Sequence, residues 1–458
     1  MRNKFRKIIL LAGDVICLYG SLWLMLFLRY DRVEEALFSK HLPVFSVIFF
    51  IWLIVFYISG FYDYIYCRIR LSYLLNFVKV LLVNFFICVS FFYITPYLIN
   101  RDIITPKRNI ILYFLVFFFA HLIWRQLYYT FMKSRAMVNN IAIIGATDKI
   151  AEIIDRLTTA STLGYRLRLI MGVTENDPVL FGVETLQVVP EIDKLTALFI
   201  ARDIKTIVID DHTRMDHALV QKLYQCLPLK IDFIKFSQFY ENITGKVPAY
   251  LIKKVWFLGN LKEAQKRNYE RGKRLADYIL VVVLFFFFLI VLPFVALATK
   301  VNSPGPIFYR QRRVGRHGKI FELIKFRSMI VDAEKDGAQW SGVNDRRITK
   351  LGKFLRCTHV DELPQIINIL KGDMSVVGPR PERPEFVEQL VKEIPYYQIR
   401  HLIRPGITGW AQLNFRYGAS IADAMEKLQY DLFYIKNRSL ILDFSIFLKT
   451  VNRILKRN

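Results

Sequence analysis

The sequence predicts a membrane protein of mixed α and α/β class. It has a four-helix transmembrane bundle, a Rossmann-like parallel-sheet domain, and a C-terminal domain entered through a fifth apolar segment. Three observations carry this prediction. Of the 458 residues, 54% are hydrophobic and 15% aromatic, with 38 Phe; so apolar a composition points to the bilayer as solvent. Four apolar segments fill the first third, each with the roughly 20 residues a helix needs to cross a bilayer. Beyond them the texture turns globular, buried strands alternating with helical stretches as in a parallel sheet.

The apolar segments run approximately from Ile8 to Phe27, Leu42 to Phe61, Leu75 to Leu98 and Ile110 to Phe131, within an expected transmembrane domain over 1–135. Arg2, Lys4, Arg6 and Lys7 precede the first, which places the N-terminus in the cytoplasm by the positive-inside rule; four crossings return the chain there. No small-residue cleavage site follows, so this segment reads as an anchor rather than a cleaved signal. The middle domain is expected over 136–262. Asn140 to Lys149 reads as a buried strand, a turn at Gly145 and a helix start, and Lys205 to Asp211 as a second buried strand. A dinucleotide fingerprint would continue with glycines, but Ala146, Thr147 and Asp148 stand there. A scaffolding or regulatory module is therefore expected ahead of a cofactor site. Cys17, Cys67, Cys88, Cys226 and Cys357 show no CxxC or metal spacing and read as reduced packing residues.

A formal charge of +25 calls for anionic partners. Zinc-finger spacing, an RNP-like stretch and a basic zipper are all missing, so membrane lipids and phosphorylated small molecules are expected and nucleic acid is not. The fifth apolar segment, about 275–299, opens a domain expected over 263–458. Its core from Ile279 to Val291 carries no charge, and Pro293 interrupts it, removing a backbone donor and crowding the preceding turn. A full crossing would carry the basic tail outside. A helix broken at Pro293 turns back to the face it entered, provided protein covers the freed backbone groups.

The tail is dense in Gly, Pro and Arg. Ser303-Pro-Gly-Pro306, Gln311 to Gly318 and Lys325-Phe-Arg-Ser-Met329 combine tight turns with Arg312, Arg316 and Arg327, whose forks suit phosphate oxygens. In His359-Val-Asp361-Glu362-Leu-Pro-Gln365 an acidic pair stands just before a proline and an amphipathic helix. Plain N-capping by Asp361 explains it as well as catalysis does. Ionised there, a carboxylate among arginines can attack phosphorus or hold a divalent metal, and two carboxylates can divide those tasks. Val377-Gly-Pro-Arg-Pro381 would present Arg380 to a phosphate, and Arg404 to Gln412 adds a cation, glycines and Trp410.

Taken together, these blocks resemble the bacterial sugar transferases known as monotopic phosphoglycosyl transferases. The likeness runs from about Lys273 to the C-terminus and rests on Lys273-Arg274 with Asp277, Ser303-Pro-Gly-Pro306, Lys325-Phe-Arg327, Asp361-Glu-Leu-Pro-Gln365, Gly372-Asp-Met-Ser375, Val377-Gly-Pro-Arg-Pro381 and Pro405 to Gln412. The whole chain is similar to the family's large form, which initiates exopolysaccharide and capsule assembly. The resemblance implies a re-entrant membrane helix broken at Pro293 and a catalytic domain on the cytoplasmic side of the bacterial inner membrane. It also implies that Asp361 attacks the β-phosphate of a UDP-sugar, releasing UMP, and that undecaprenyl phosphate then takes the phosphosugar. Mg²⁺ is implied, with Glu362 assisting as its ligand, and Arg312, Arg327, Arg380 and Arg404 are the expected phosphate-binding residues. Two departures stand out: His359 and Val360 precede the dyad where many members have Ser or Thr and then Leu, and Leu292 rather than Ser precedes Pro293.

Two other classes remain in view. A membrane-bound nucleotide-sugar dehydratase or epimerase would need a Gly-rich cofactor loop and a Tyr-x-x-x-Lys pair, and the loop after Ile144 lacks the glycines. An assembly scaffold would carry the dyad as a mere helix cap. The sequence does not name the sugar, glucose or galactose phosphate being favoured by the resemblance with N-acetylated sugars as the alternative, and leaves a homodimer through the middle domain open.

Overall fold

Backbone groups in a bilayer find partners only within a helix or a closed barrel, and four long helices make up nearly all of the described residues up to Lys133. The computed structural model describes residues 2–30, 35–62, 71–99, 109–133, 138–145, 149–159, 164–171, 184–186, 192–210, 217–249, 252, 254–331, 333, 345–415 and 420–455. Two compact units divide the chain, Met1–Phe236 and Ser237–Asn458.

In the first unit, α1 (Arg2–Tyr30), α2 (Glu35–Ile58), α3 (Leu71–Ile99) and α4 (Asn109–Lys133) are each long and apolar enough to cross a membrane. They share a core rich in rings, including Phe45, Trp52, Phe56, Tyr113 and Phe117. Trp52 and Phe114 approach to 4.9 Å between ring centroids, a separation at which aromatic pairs add to simple burial. At Gly13 in α1, a Cβ would stand 2.0 Å from the Trp124 indole, so only glycine admits that contact. One polar cluster interrupts the apolar interior. Arg125 of α4 donates to Asp14 of α1 at 2.7 Å and to the Phe61 carbonyl just beyond α2 at 3.0 Å. His121, one turn before it, shares a 2.8 Å hydrogen bond with Tyr73 of α3.

The same unit carries β1 (Asn139–Ile144), α5 (Ile150–Thr159), β2 (Tyr165–Met171), β3 (Glu184–Leu186), α6 (Ile192–Ala201), β4 (Ile204–Ile209), α7 (His217–Gln225) and β5 (Asp232–Lys235). The strands form one sheet in the order β3-β2-β1-β4-β5, each neighbouring pair parallel. Strand order reverses between β1 and β4, where doubly wound sheets bind ligands. Every residue of β1 is buried, as a central strand covered on both faces requires. Gly145 ends β1 at φ 105°. Ala146, Thr147 and Asp148, which stand where a dinucleotide fingerprint would have glycines, lie outside the described residues, as do Asp211 at the end of the second expected strand and Cys67; the other four cysteines are free.

The second unit begins earlier than residue 263. It contains α8 (Phe236–Thr244), apart from its first residue, and α9 (Lys254–Asn260), then α10 (Arg267–Asn302), β6 (Phe308–Val314), β7 (Ile320–Phe326), α11 (Lys350–Cys357), α12 (Ile366–Lys371), β8 (Ser375–Val377), α13 (Pro384–Glu393), β9 (Gly406–Thr408), α14 (Trp410–Asn414), α15 (Ile421–Asn437) and α16 (Leu440–Leu455). The boundary expected at 262/263 thus moves to 236/237. Polar contacts explain the shift. Glu241 of α8 accepts from Lys436 and Asn437 of α15 at 2.7 and 2.9 Å, Trp410 donates to the Gly245 carbonyl at 2.9 Å, and Lys246 pairs with Glu426.

In α10, 36 residues form a single helix with Pro293 inside it. The proline expected to break the helix deletes one i→i−4 bond without ending it. One stripe of α10, comprising Lys273, Asp277, Val281, Phe288, Val295 and Thr299, is buried. Along the opposite side Leu275, Ile279, Val283, Phe286, Ile290, Phe294 and Leu297 are exposed. The buried stripe is held over its length by the same unit. Near its start, Lys273 pairs with Asp443 of α16 at 2.9 Å, and Asp277 accepts from the Ser375 hydroxyl and the Val376 N–H at 3.1 Å. Further along, Phe288 stacks on Phe326 of β7. Just past its end, the carbonyls of Ser303 and Pro304 accept from Arg327.

Candidate active site

The acidic pair sits where three short elements meet. Thr349 caps α11 by accepting from the Gly352 N–H at 2.9 Å. Two residues past α11 the chain turns at His359, which adopts a left-handed conformation (φ 56°). A 3-10 stretch from Val360 to Gln365 follows, with Pro364 inside it, and leads into α12. Asp361 and Glu362 occupy its first turn and are only 6% and 8% exposed. His359, not Asp361, is the capping position, and it makes no side-chain cap bond. The carboxylates therefore lie within the helical turn and are not spent on capping it.

Arg380 donates to Glu362 at 2.7 Å. The Val377–Pro381 turn that presents Arg380 is fixed by β8 and β9: Gly378 N–H donates to Thr408 and Gly406 N–H to Pro379, both at 2.9 Å. A Cβ on Gly378 would stand 2.5 Å from the Arg404 carbonyl oxygen, so the strands approach this closely only through glycine. Beneath the turn, the carbonyl of Arg380 accepts from Arg400 at 2.9 Å. Arg400 is itself buried, paired with Asp431 at 2.9 Å and bonded to the Tyr397 hydroxyl at 2.8 Å.

This surrounding separates the two carboxyls. Burial, and then the negative charge of Glu362, push Asp361 up to about 7, with Lys325, Arg356 and Arg380 pulling the other way. Burial acts on Glu362 as well, but the charge and hydrogen bond of Arg380 outweigh it and hold Glu362 below the usual carboxylate range. Lys325 is lowered to about 8, by burial first and then by the charges of Arg313 and Arg380. Paired titratable groups driven apart in this way mark sites with divided chemical tasks. Mg²⁺ binds through one or two carboxylates and keeps water and substrate phosphates as its other ligands. The dyad supplies two adjacent carboxylates of that kind, although no cluster of three or more acidic, His or Cys ligands occurs among the described residues.

Of the four arginines expected on phosphates, only Arg380 lies with the dyad. The fork of Arg327 is taken by the carbonyls of Pro304 and Ser303 at 2.8 and 2.7 Å, where Gly305 at φ 122° leaves it room. Arg312 is exposed on β6, opposite Glu322 of β7. Arg404 donates to the Gly372 carbonyl. The sequence reading missed Lys325 and Arg356 as partners of the dyad, and Arg313 as the β6 arginine whose charge acts on Lys325. Adjacent strand residues point to opposite faces, so Arg312 and Arg313 could not be told apart before the register was known. Lys325 stood inside a quoted motif and gave a signal; Arg356 gave none.

Residues 268–457 match the family of bacterial sugar transferases. The chain is 41% identical over 233 residues to a UDP-N-acetylgalactosamine-undecaprenyl-phosphate N-acetylgalactosaminephosphotransferase of Aeromonas hydrophila, covering 51% of this chain and 54% of that protein. It is 46% identical over 235 residues to a UDP-glucose:undecaprenyl-phosphate glucose-1-phosphate transferase of Xanthomonas campestris pv. campestris, covering 50% of this chain and 46% of that one. An enzyme of the latter name from Caulobacter vibrioides is 38% identical over 185 residues, or 40% of this chain and 69% of its own. The matched stretch thus spans about half the length of the first two relatives.

Proposed function

The chain belongs to the bacterial sugar transferase family, and from that premise we propose that it moves a sugar-1-phosphate from a UDP-sugar to undecaprenyl phosphate, releasing UMP. The step initiates exopolysaccharide or capsule assembly at the cytoplasmic face of the bacterial inner membrane. One observation carries the reading: a buried pair of carboxylates, Asp361 and Glu362, with Lys325, Arg356 and Arg380 acting on it.

The Asp361 carboxylate attacks the β-phosphorus of the UDP-sugar. The bond from that phosphorus to the bridging oxygen breaks, UMP leaves with the electron pair, and an aspartyl phosphosugar remains. An oxygen of undecaprenyl phosphate then attacks the same phosphorus, and Asp361 departs as a carboxylate. Lys325, Arg356 and Arg380 offset charge on the phosphoryl oxygens, the larger part of catalysis in phosphoryl transfer. With Asp361 near 7, a substantial fraction is ionised at neutral pH and available as nucleophile. Glu362 would hold Mg²⁺, which when bound supplies further neutralisation of the substrate phosphates.

The lipid acceptor requires the site to lie against the membrane, and α10 supports that placement. About 54 Å long at 1.5 Å per residue, it rests one face on a single unit from Lys273 to Thr299 while its other face is apolar and exposed. We take this one-sided cover to keep both ends of α10 on the same side of the membrane.

The test uses purified protein, undecaprenyl phosphate, Mg²⁺ and a panel of UDP-sugars, following UMP release and lipid-linked product beside the Asp361→Asn variant. UMP release with one sugar, lost in the variant, is expected and names the donor. A folded protein releasing UMP from no UDP-sugar refutes the assignment.

A further inference from the structure

A second group of arginines lies apart from the dyad. Arg274 of α10 donates to the Ile369 carbonyl at 3.0 Å, and its Nη2 stands 3.2 Å from where a Cβ on Gly372 would be. Arg404 reaches the same turn from the strand side, donating to the Gly372 carbonyl at 3.2 Å. Arg316, at the turn between β6 and β7, donates to the Leu402 carbonyl at 3.3 Å, two residues before Arg404. All three side chains are half-buried.

Each guanidinium uses one nitrogen on a carbonyl, and the carbonyls of Ile369 and Gly372 close the C-terminal end of α12, where cations are favoured. That role accounts for one donor per residue. Among the described residues, both Nη atoms of Arg316, and the Nη2 atoms of Arg274 and Arg404, have no hydrogen-bond acceptor. The acids acting on Arg404 are Glu270, 3.7 Å away and also 3.4 Å from Arg438, and Asp277. Arg404 is held below the usual arginine range, by burial first and then by the charges of Arg316 and Arg274. Arg404 thus feels two further guanidiniums only partly offset by Glu270 and Asp277, and N–H groups converging in this way suit a tetrahedral anion, which accepts several at once.

The place of the cluster says what carries that anion. Arg274 lies over the Tyr278 ring at 4.4 Å, where the exposed apolar face of α10 begins with Leu275, Tyr278 and Ile279. Aromatic and basic residues at the end of an apolar membrane segment stand at headgroup level. We infer that Arg274, Arg316 and Arg404 form a phosphate site at the membrane interface that takes the phosphate of a membrane lipid. The inference rests on α10 being a membrane helix and not on the transfer reaction. Both a bulk anionic phospholipid and the polyprenyl phosphate offer this chemistry.

Full-length protein in detergent, titrated with phosphatidylglycerol, undecaprenyl phosphate or phosphate-free diacylglycerol and read by native mass spectrometry, tests the site and its source. One of the two phosphate lipids is retained over diacylglycerol, and Arg316→Gln or Arg404→Gln weakens that retention about tenfold or more. Arg310→Gln, which removes an equal charge from an exposed strand position, leaves retention unchanged. Arg316→Lys keeps the charge and recovers part of the loss, which a misfolded variant cannot do. A loss confined to phosphatidylglycerol assigns the site to bulk lipid, and a loss for undecaprenyl phosphate assigns it to the acceptor. If neither lipid's retention changes in the glutamine variants, or diacylglycerol is held equally well, the site does not exist.

Discussion

Asp361 and Glu362 are neighbours in one turn and both buried, yet among the described residues only Glu362 has a guanidinium within hydrogen-bond reach. A paired carboxylate keeps its charge and its position; one held near 7 by burial is a stronger base and a better nucleophile for its proton-free fraction. Asp361→Asn is therefore expected to lower UMP release by at least about 10³-fold with the protein still folded, the scale of losing a covalent nucleophile. Arg380→Lys keeps the charge but loses the planar fork towards Glu362, and about a tenfold to hundredfold fall in kcat/KM is expected from the same assay. Lys325 gives a pH signature. Its ammonium is held at about 8 in the fold against about 10.4 in an unfolded chain. Between those values the unfolded state binds more protons, so this residue makes stability rise with pH. Unfolding midpoints from pH 7.5 to 10.5 should rise less in Lys325→Met than in the wild type.

At the scale of elements, α10 is fastened by polar groups at its start. Lys273 meets Asp443, which also accepts from Tyr269 and Tyr434. Removing one partner of a mostly buried pair strands the other, so Lys273→Met is expected to cost about 3 kcal/mol, measured by chemical unfolding in detergent. Cysteines placed by Leu275→Cys and Val301→Cys, both at exposed positions, should react with an impermeant thiol reagent from the same side of sealed vesicles; labelling from opposite sides would show a full crossing. The long apolar helices were legible because a bilayer demands a fixed length, and the parallel sheet because its strands read as short buried runs. The fate of Pro293 was not: the missing donor shows in sequence, but whether the turn opens depends on the protein packed along it. Arg327 illustrates the same limit. Its spacing suited phosphate, while its partners turned out to be two backbone carbonyls fixed only once the chain had folded.

For the whole molecule, the division after Phe236 has a practical meaning. A fragment of residues 237–458 retains the contacts of Glu241, Gly245 and Lys246 with α14 and α15, whereas one starting at residue 263 loses them. The longer fragment is expected to fold and release UMP from the donor, the shorter to aggregate, as size-exclusion profiles and the UMP assay would show. The first unit poses a question of timing instead. Asp14 finds Arg125 only 111 residues later in the chain. At about 5–20 residues per second of synthesis, α1 waits on the order of 6 to 20 seconds after emerging before its counter-ion has even been made. An unpaired acid is costly in lipid. The first helix is thus bound to linger beside the insertion machinery until the fourth arrives, and the bundle closes as one late event rather than helix by helix.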